Sequence, residues 1–128
     1  MEFFGVMIHL TRLKQSFQYA YEGIRLAARE NTFKVLICAA VGALLLSYLF
    51  RVKPWEGIAI LLVVMVVLVL EILNTVFERI ADLVEPKMHH YVREIKDLMA
   101  AAVLVASLVA AIMGVVIFLP YLKMTLTQ

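Results

Sequence analysis

The chain holds a single cysteine, three prolines, five glycines and one tryptophan in 128 residues. One cysteine excludes an internal disulfide framework, and Cys38 lies inside the apolar stretch "KVLICAAVGA", where a small packing side chain is expected. Neither G-x-G-x-x-G nor G-x-x-x-x-G-K-[ST] occurs, which excludes the loop-based nucleotide sites of soluble folds, so any nucleotide must be held by side chains on helices. Charge is sparse as well. Only 17% of residues are charged, the net charge is +2, and the basic residues are spread along the chain, so no nucleic-acid partner is expected. The opening "MEFFGVMIHL" has no basic n-region and no small-residue cleavage site; it is expected to be retained instead of removed as a signal peptide.

What is present is apolar surface. At 64% hydrophobic residues and a mean hydropathy of +0.94, the chain carries more than a soluble core of this size can hide. It reads as an all-α membrane protein forming a single domain over residues 1–128. A spanning helix needs about 20 apolar residues, and three segments qualify, at about 33–50, 55–76 and 98–122. Ahead of them, over about 4–30, Leu10, Leu13, Phe17, Ala20, Tyr21, Ile24 and Ala28 recur by threes and fours, with Arg12, Lys14, Gln18, Glu22, Arg25 and Arg29 on the other side. That pattern predicts an amphipathic helix lying on the membrane surface. Pro54 with Trp55 should open the second span at an interface, and Pro120 with Tyr121 should mark the far end of the third.

Lysine and arginine set the orientation. Five lie at or before Lys34 and four lie between spans two and three, against Arg51, Lys53 and Lys123 elsewhere. This places the amino terminus and the second loop in the cytoplasm. Most carboxylates share that side, Glu71 lies just inside the bilayer, and only Glu56 faces out.

The second span ends in "LVLEILNTVFERIADLVEP". At about 100° per residue, Glu71, Glu78 and Asp82 fall within about 40° of one another, with Asn74 about 60° to one side. An acid at mid-span costs about 2.5 to 3.5 kcal/mol on the insertion scale, while each large aliphatic residue gains about 0.3 to 0.6. The twelve large apolar residues between Ile58 and Leu70 can carry Glu71, yet they do not explain it. Solvation near the headgroups would account for Asp82 alone, as an exposed helix end. It does not account for three acids and an amide on one face, which marks a site. Oxygen ligands at this density, with Glu30 available from the surface helix, suit a hard cation such as Mg²⁺. Near the third span, Lys96 and Asp97 adjoin the cytoplasmic boundary. Alone, Lys96 would snorkel and Asp97 would cap the helix start; facing the acids, Lys96 becomes a phosphate contact. His89 and His90 point about 100° apart if helical and make a poor metal pair, so they read as loop or nucleotide-edge residues.

"EILNTVFERIADLV" followed by "KMHHYVREIKD" resembles the signature of the prokaryotic diacylglycerol kinase family, and the likeness extends to "SFQYAYEGIRLAARENTF" and the three spans. The resemblance implies a homotrimer in the bacterial cytoplasmic membrane, with active sites at subunit interfaces on the cytoplasmic side. There MgATP would phosphorylate a lipid hydroxyl. It implies Glu71 as general base beside the lipid substrate, and Asn74 as its polar neighbour. Glu30 and Glu78 would hold the metal, and Lys96 and Asp97 would contact the phosphates and orient the site. Arg12, Tyr19, Asp82 and His89 would lie on the nucleotide side. "IFLPYL" and "DLVEPKMHH" are similar to the undecaprenol kinase branch, so undecaprenol is the expected acceptor and diacylglycerol the alternative. "KDLMAAAV" departs from the small residue and glycine that many relatives carry there. From a different class, a cation-conducting protein would need polar residues continuing outward, and Ile58 to Leu70 offers none.

Overall fold

The computed structural model describes residues 2–84 and 89–127, with side chains for 12–84 and 90–127. Four helices follow one another, α1 (Glu2–Ala27), α2 (Asn31–Leu49), α3 (Pro54–Val84) and α4 (His89–Leu126). No strand occurs among the described residues. Helices α2, α3 and α4 are each long and apolar enough to cross a membrane, as an integral membrane protein requires.

Local chemistry explains the boundaries. Glu30 is the N-cap of α2 in extended conformation (φ −72°, ψ 135°), but its side chain makes no capping bond. Arg51, at φ 48°, takes the left-handed turn between α2 and α3. Pro54 then supplies a preset φ at the first helical position. Glu56 Oε2 accepts the Lys53 backbone N–H at 3.0 Å, the return arm of a capping box.

The two long helices outrun the apolar windows that predict them. With 31 and 38 residues, α3 and α4 measure about 46 and 57 Å, against a hydrocarbon core of about 30 Å. No glycine or proline interrupts α3 after its apolar run, so the helix continues unbroken through Glu78 and Asp82 to Val84. Helix α4 starts at His89, well before the expected residue 98. His89 and His90 are therefore helical and not loop residues, and Asp97 lies two turns inside the helix, too far along to cap it.

At the opposite end Pro120 does not stop α4, which continues to Leu126. Tyr121 is fastened there: its Oη donates to Glu56 Oε2 at 2.5 Å, and its ring stacks on Phe50 at 6.4 Å. Phe50 also meets Phe118 at 6.2 Å, so the α2–α3 turn grips the end of α4.

Helix α3 is central, packing on both α2 and α4. Its buried residues Ile60, Val67, Glu71, Thr75 and Ala81 fall within an arc of about 120°. Glu71 is thus buried because it continues the packing stripe. Between α2 and α4, over α3, runs an apolar groove of about 380 Å³ whose walls are small residues such as Ala39, Ala43, Ala110 and Gly114. Cys38 is exposed in the single chain, so it does not serve as an internal packing residue.

Candidate active site

The site is built on the C-terminal half of α3. Glu71 retains 4% of its surface, and among the described residues no cation pairs with its carboxylate. One turn on, Thr75 Oγ1 donates to the Glu71 carbonyl oxygen at 3.1 Å, which satisfies the buried hydroxyl within its own helix. Asn74 Nδ2 donates to Glu78 Oε1 at 3.1 Å. That orientation leaves Asn74 Oδ1 buried with no hydrogen-bond partner among the described residues. Burying an unpaired amide oxygen costs about 1 to 3 kcal/mol, so the atom is an acceptor in need of a donor.

Two ion pairs draw the other helices to this face. Lys96 Nζ on α4 meets Asp82 Oδ1 at 2.6 Å, with the lysine two-thirds buried and the aspartate open to water. Asp82 is thus a member of the acid row that Lys96 meets. Glu30, freed from capping, turns to Arg79 on α3, with Nη2 to Oε1 at 3.5 Å. Glu78 is the residue preceding Arg79, so the same turn of α3 presents one carboxylate of its own and gathers a second from the α1–α2 corner. Asp97 is exposed one residue beyond Lys96.

Arg12 and Tyr19 project from α1 and are exposed. No hydrogen bond or ion pair joins their side chains to α3 or α4 among the described residues. The His89 side chain lies outside the described residues, as do residues 85–88. His90 pairs with Glu94 at 3.1 Å along the exposed surface of α4. An apolar cleft of about 370 Å³ separates α1 from α3, bordered by Ala20, Gly23 and Ala27 on one side and Ile72, Thr75 and Arg79 on the other. Thr75, which borders it, is bonded through Oγ1 to the Glu71 backbone carbonyl, so the cleft reaches the turn of α3 that follows Glu71.

Residues 18–118 match the family model described as prokaryotic diacylglycerol kinase. The chain belongs to that family. It is 36% identical over 114 residues to the undecaprenol kinase of Bacillus subtilis (strain 168), covering 88% of this chain and 93% of that relative. It is 30% identical over 103 residues to the diacylglycerol kinase of Escherichia coli (strain K12), covering 80% and 84%. With a Synechocystis diacylglycerol kinase it shares 32% over 107 residues, 82% of this chain and 61% of the relative. As a prokaryotic diacylglycerol kinase family member it is a membrane-embedded lipid kinase with ATP as co-substrate.

For this member of the prokaryotic diacylglycerol kinase family the donors present fit a hard cation. Glu30 and Glu78 offer carboxylate oxygens, and Asn74 Oδ1 lies within the same turn of α3 as Glu78. Among the described residues no three His, Cys, Asp or Glu side chains cluster tightly enough to hold an ion by themselves. A hard cation such as Mg²⁺ would need only one or two of these carboxylates, its shell being completed by phosphate oxygens and water. Two features escaped the sequence reading. In the sequence Arg79 is one of four cations between the second and third spans, and nothing local links it to a residue 49 positions earlier. Glu56, taken as the lone outward acid, is engaged by Tyr121 from 65 positions away.

Proposed function

We propose that the protein phosphorylates undecaprenol, with diacylglycerol as the alternative acceptor, using MgATP at a cytoplasmic-side site completed by neighbouring subunits of a trimer. The observation that carries this reading is the buried Glu71 carboxylate, unpaired with any cation among the described residues and one turn before Thr75, which lines the α1–α3 cleft. A membrane alcohol whose tail lies in that cleft brings its hydroxyl to Glu71 from the lipid, while ATP comes from water over Glu78, Asp82 and Lys96. The bilayer thereby fixes the orientation of one reactant before any protein contact is made.

Glu71 takes the hydroxyl proton as the oxygen–phosphorus bond forms, and Asn74 Oδ1 accepts a hydrogen bond from that hydroxyl beforehand. Lys96 places a positive charge against the transferred phosphoryl group, and Asp97 orients the site beside it. Arg12, Tyr19 and His89 lie on the nucleotide side. Glu30 and Glu78 hold the cation, which when bound neutralises phosphate charge that side chains alone would meet incompletely. The small-residue groove between α2 and α4 supports a trimer, since alanine and glycine let a neighbouring helix approach closely in lipid.

The likeness to the Bacillus subtilis protein named undecaprenol kinase, matched over nearly its full length, supports undecaprenol as the acceptor. Purified protein incubated with labelled ATP, Mg²⁺ and separate vesicles carrying undecaprenol or diacylglycerol decides the matter. Label is expected chiefly in undecaprenyl phosphate; preferential labelling of diacylglycerol would move the protein to the alternative, and transfer to neither would sink the reading.

A further inference from the structure

Arg79 lies in the middle of the candidate site without a role in the mechanism above. Its partner Glu30 stands where an N-cap would, yet declines the cap and reaches the guanidinium instead. Both side chains are about half exposed, at 51% and 42%. A pair so open to water contributes about 0 to 1 kcal/mol to folding, too little to be its reason for existing. Its position is more telling. Arg79 follows Glu78 in the chain and borders the α1–α3 cleft, so the guanidinium stands among the two proposed cation ligands and the proposed lipid entry.

On the reading that MgATP binds here, we propose that Arg79 is a place-holding counterion that exchanges partners when the substrate arrives. Before MgATP binds, Arg79 neutralises Glu30 and keeps its carboxylate aimed at the Glu78 turn of α3. When Glu30 turns to the cation, the guanidinium is released and takes a phosphate oxygen of the donor. Through the exchange the carboxylate always faces a cation and the guanidinium always faces an anion, so neither is left unpaired in a partly desolvated site. Metal alone must displace Arg79 without offering it a new anion, whereas MgATP supplies both partners together. Arg79 therefore opposes the bare ion and favours the complex. It is a positioning residue toward Glu30 and a phosphate ligand only in the second state.

The two effects have opposite signs, which a structural tether cannot imitate. Arg79→Gln should bind Mn²⁺ about 2- to 5-fold more tightly than wild type in the absence of nucleotide, measured by electron paramagnetic resonance of the free ion, the range an exposed ion pair can supply. The same variant should bind the Mg²⁺ complex of a non-hydrolysable ATP analogue about tenfold more weakly, the loss of one charge-assisted hydrogen bond. Arg79→Lys, which keeps the charge and favours folding if the Gln variant is lost, should show wild-type Mn²⁺ affinity and an intermediate loss of nucleotide affinity. If both affinities fall together, or Mn²⁺ binding does not strengthen in Arg79→Gln, the exchange is wrong. If wild type itself binds no nucleotide in the presence of Mg²⁺, the kinase site is wrong, and that failure is distinct.

Discussion

Replacing Glu71 by Gln tests the mechanism at its narrowest point. The amide matches the carboxylate in size, so a residue that keeps only 4% of its surface can be exchanged without a cavity. It removes the one property the mechanism needs, a group able to accept a proton. General-base catalysis contributes about 10² to 10⁴-fold, or about 3 to 5 kcal/mol of barrier, and turnover should fall by that factor. Folding should not suffer. Removing a charge that has no cation partner among the described residues relieves desolvation, so the thermal midpoint should stay or rise. Glu71→Asp restores the carboxylate but draws it back by about 1.5 Å, and a misplacement of that order costs about 10²-fold. Each variant is assayed for label transferred from ATP to undecaprenol in mixed micelles, alongside helical circular dichroism and nucleotide binding. A Gln variant that is folded, binds MgATP and retains more than about a tenth of wild-type turnover would refute the assignment of Glu71 as base.

Asp82→Asn should loosen Lys96 without removing its charge, raising the KM for ATP about 3- to 10-fold with a smaller change in kcat, while Lys96→Met should cost about 10²-fold or more in kcat; equal kcat losses in both would mean that Asp82 does more than position the lysine. Tyr121→Phe removes the hydroxyl that joins α4 to Glu56 and should lower stability by about 0.5 to 1.5 kcal/mol, read from the thermal midpoint, with turnover retained because the bond lies at the far end from Glu71. Mixing separately inactive Glu71→Gln and Glu30→Gln proteins before assembly should restore measurable transfer if the two residues meet across a subunit boundary. A mixture as inactive as its components would place the whole site within one chain.

Residues 55–76 announce a span because hydropathy is a local sum, and the acid row announces a site because a carboxylate in that run costs energy that nothing nearby repays. Both signals are properties of adjacent residues; the span is present as part of α3, and the acid row stands as a candidate site. The lengths of α3 and α4 were not legible in this way, since hydropathy marks only the part of a helix inside the hydrocarbon and falls silent where it enters water. For that reason the apolar window opens well after α4 begins at His89.

Sequence alone determined that this chain is helical and membrane-spanning, with a row of carboxylates along the end of its second span, because period and apolar length act within a few turns. Only the tertiary structure decided which charges meet. Lys96 with Asp82, Arg79 with Glu30 and Tyr121 with Glu56 join different helices at separations of 14, 49 and 65 residues. Such pairings depend on how α2, α3 and α4 cross, and the crossing is set by side chains packing along the whole length of α3, which no local pattern encodes.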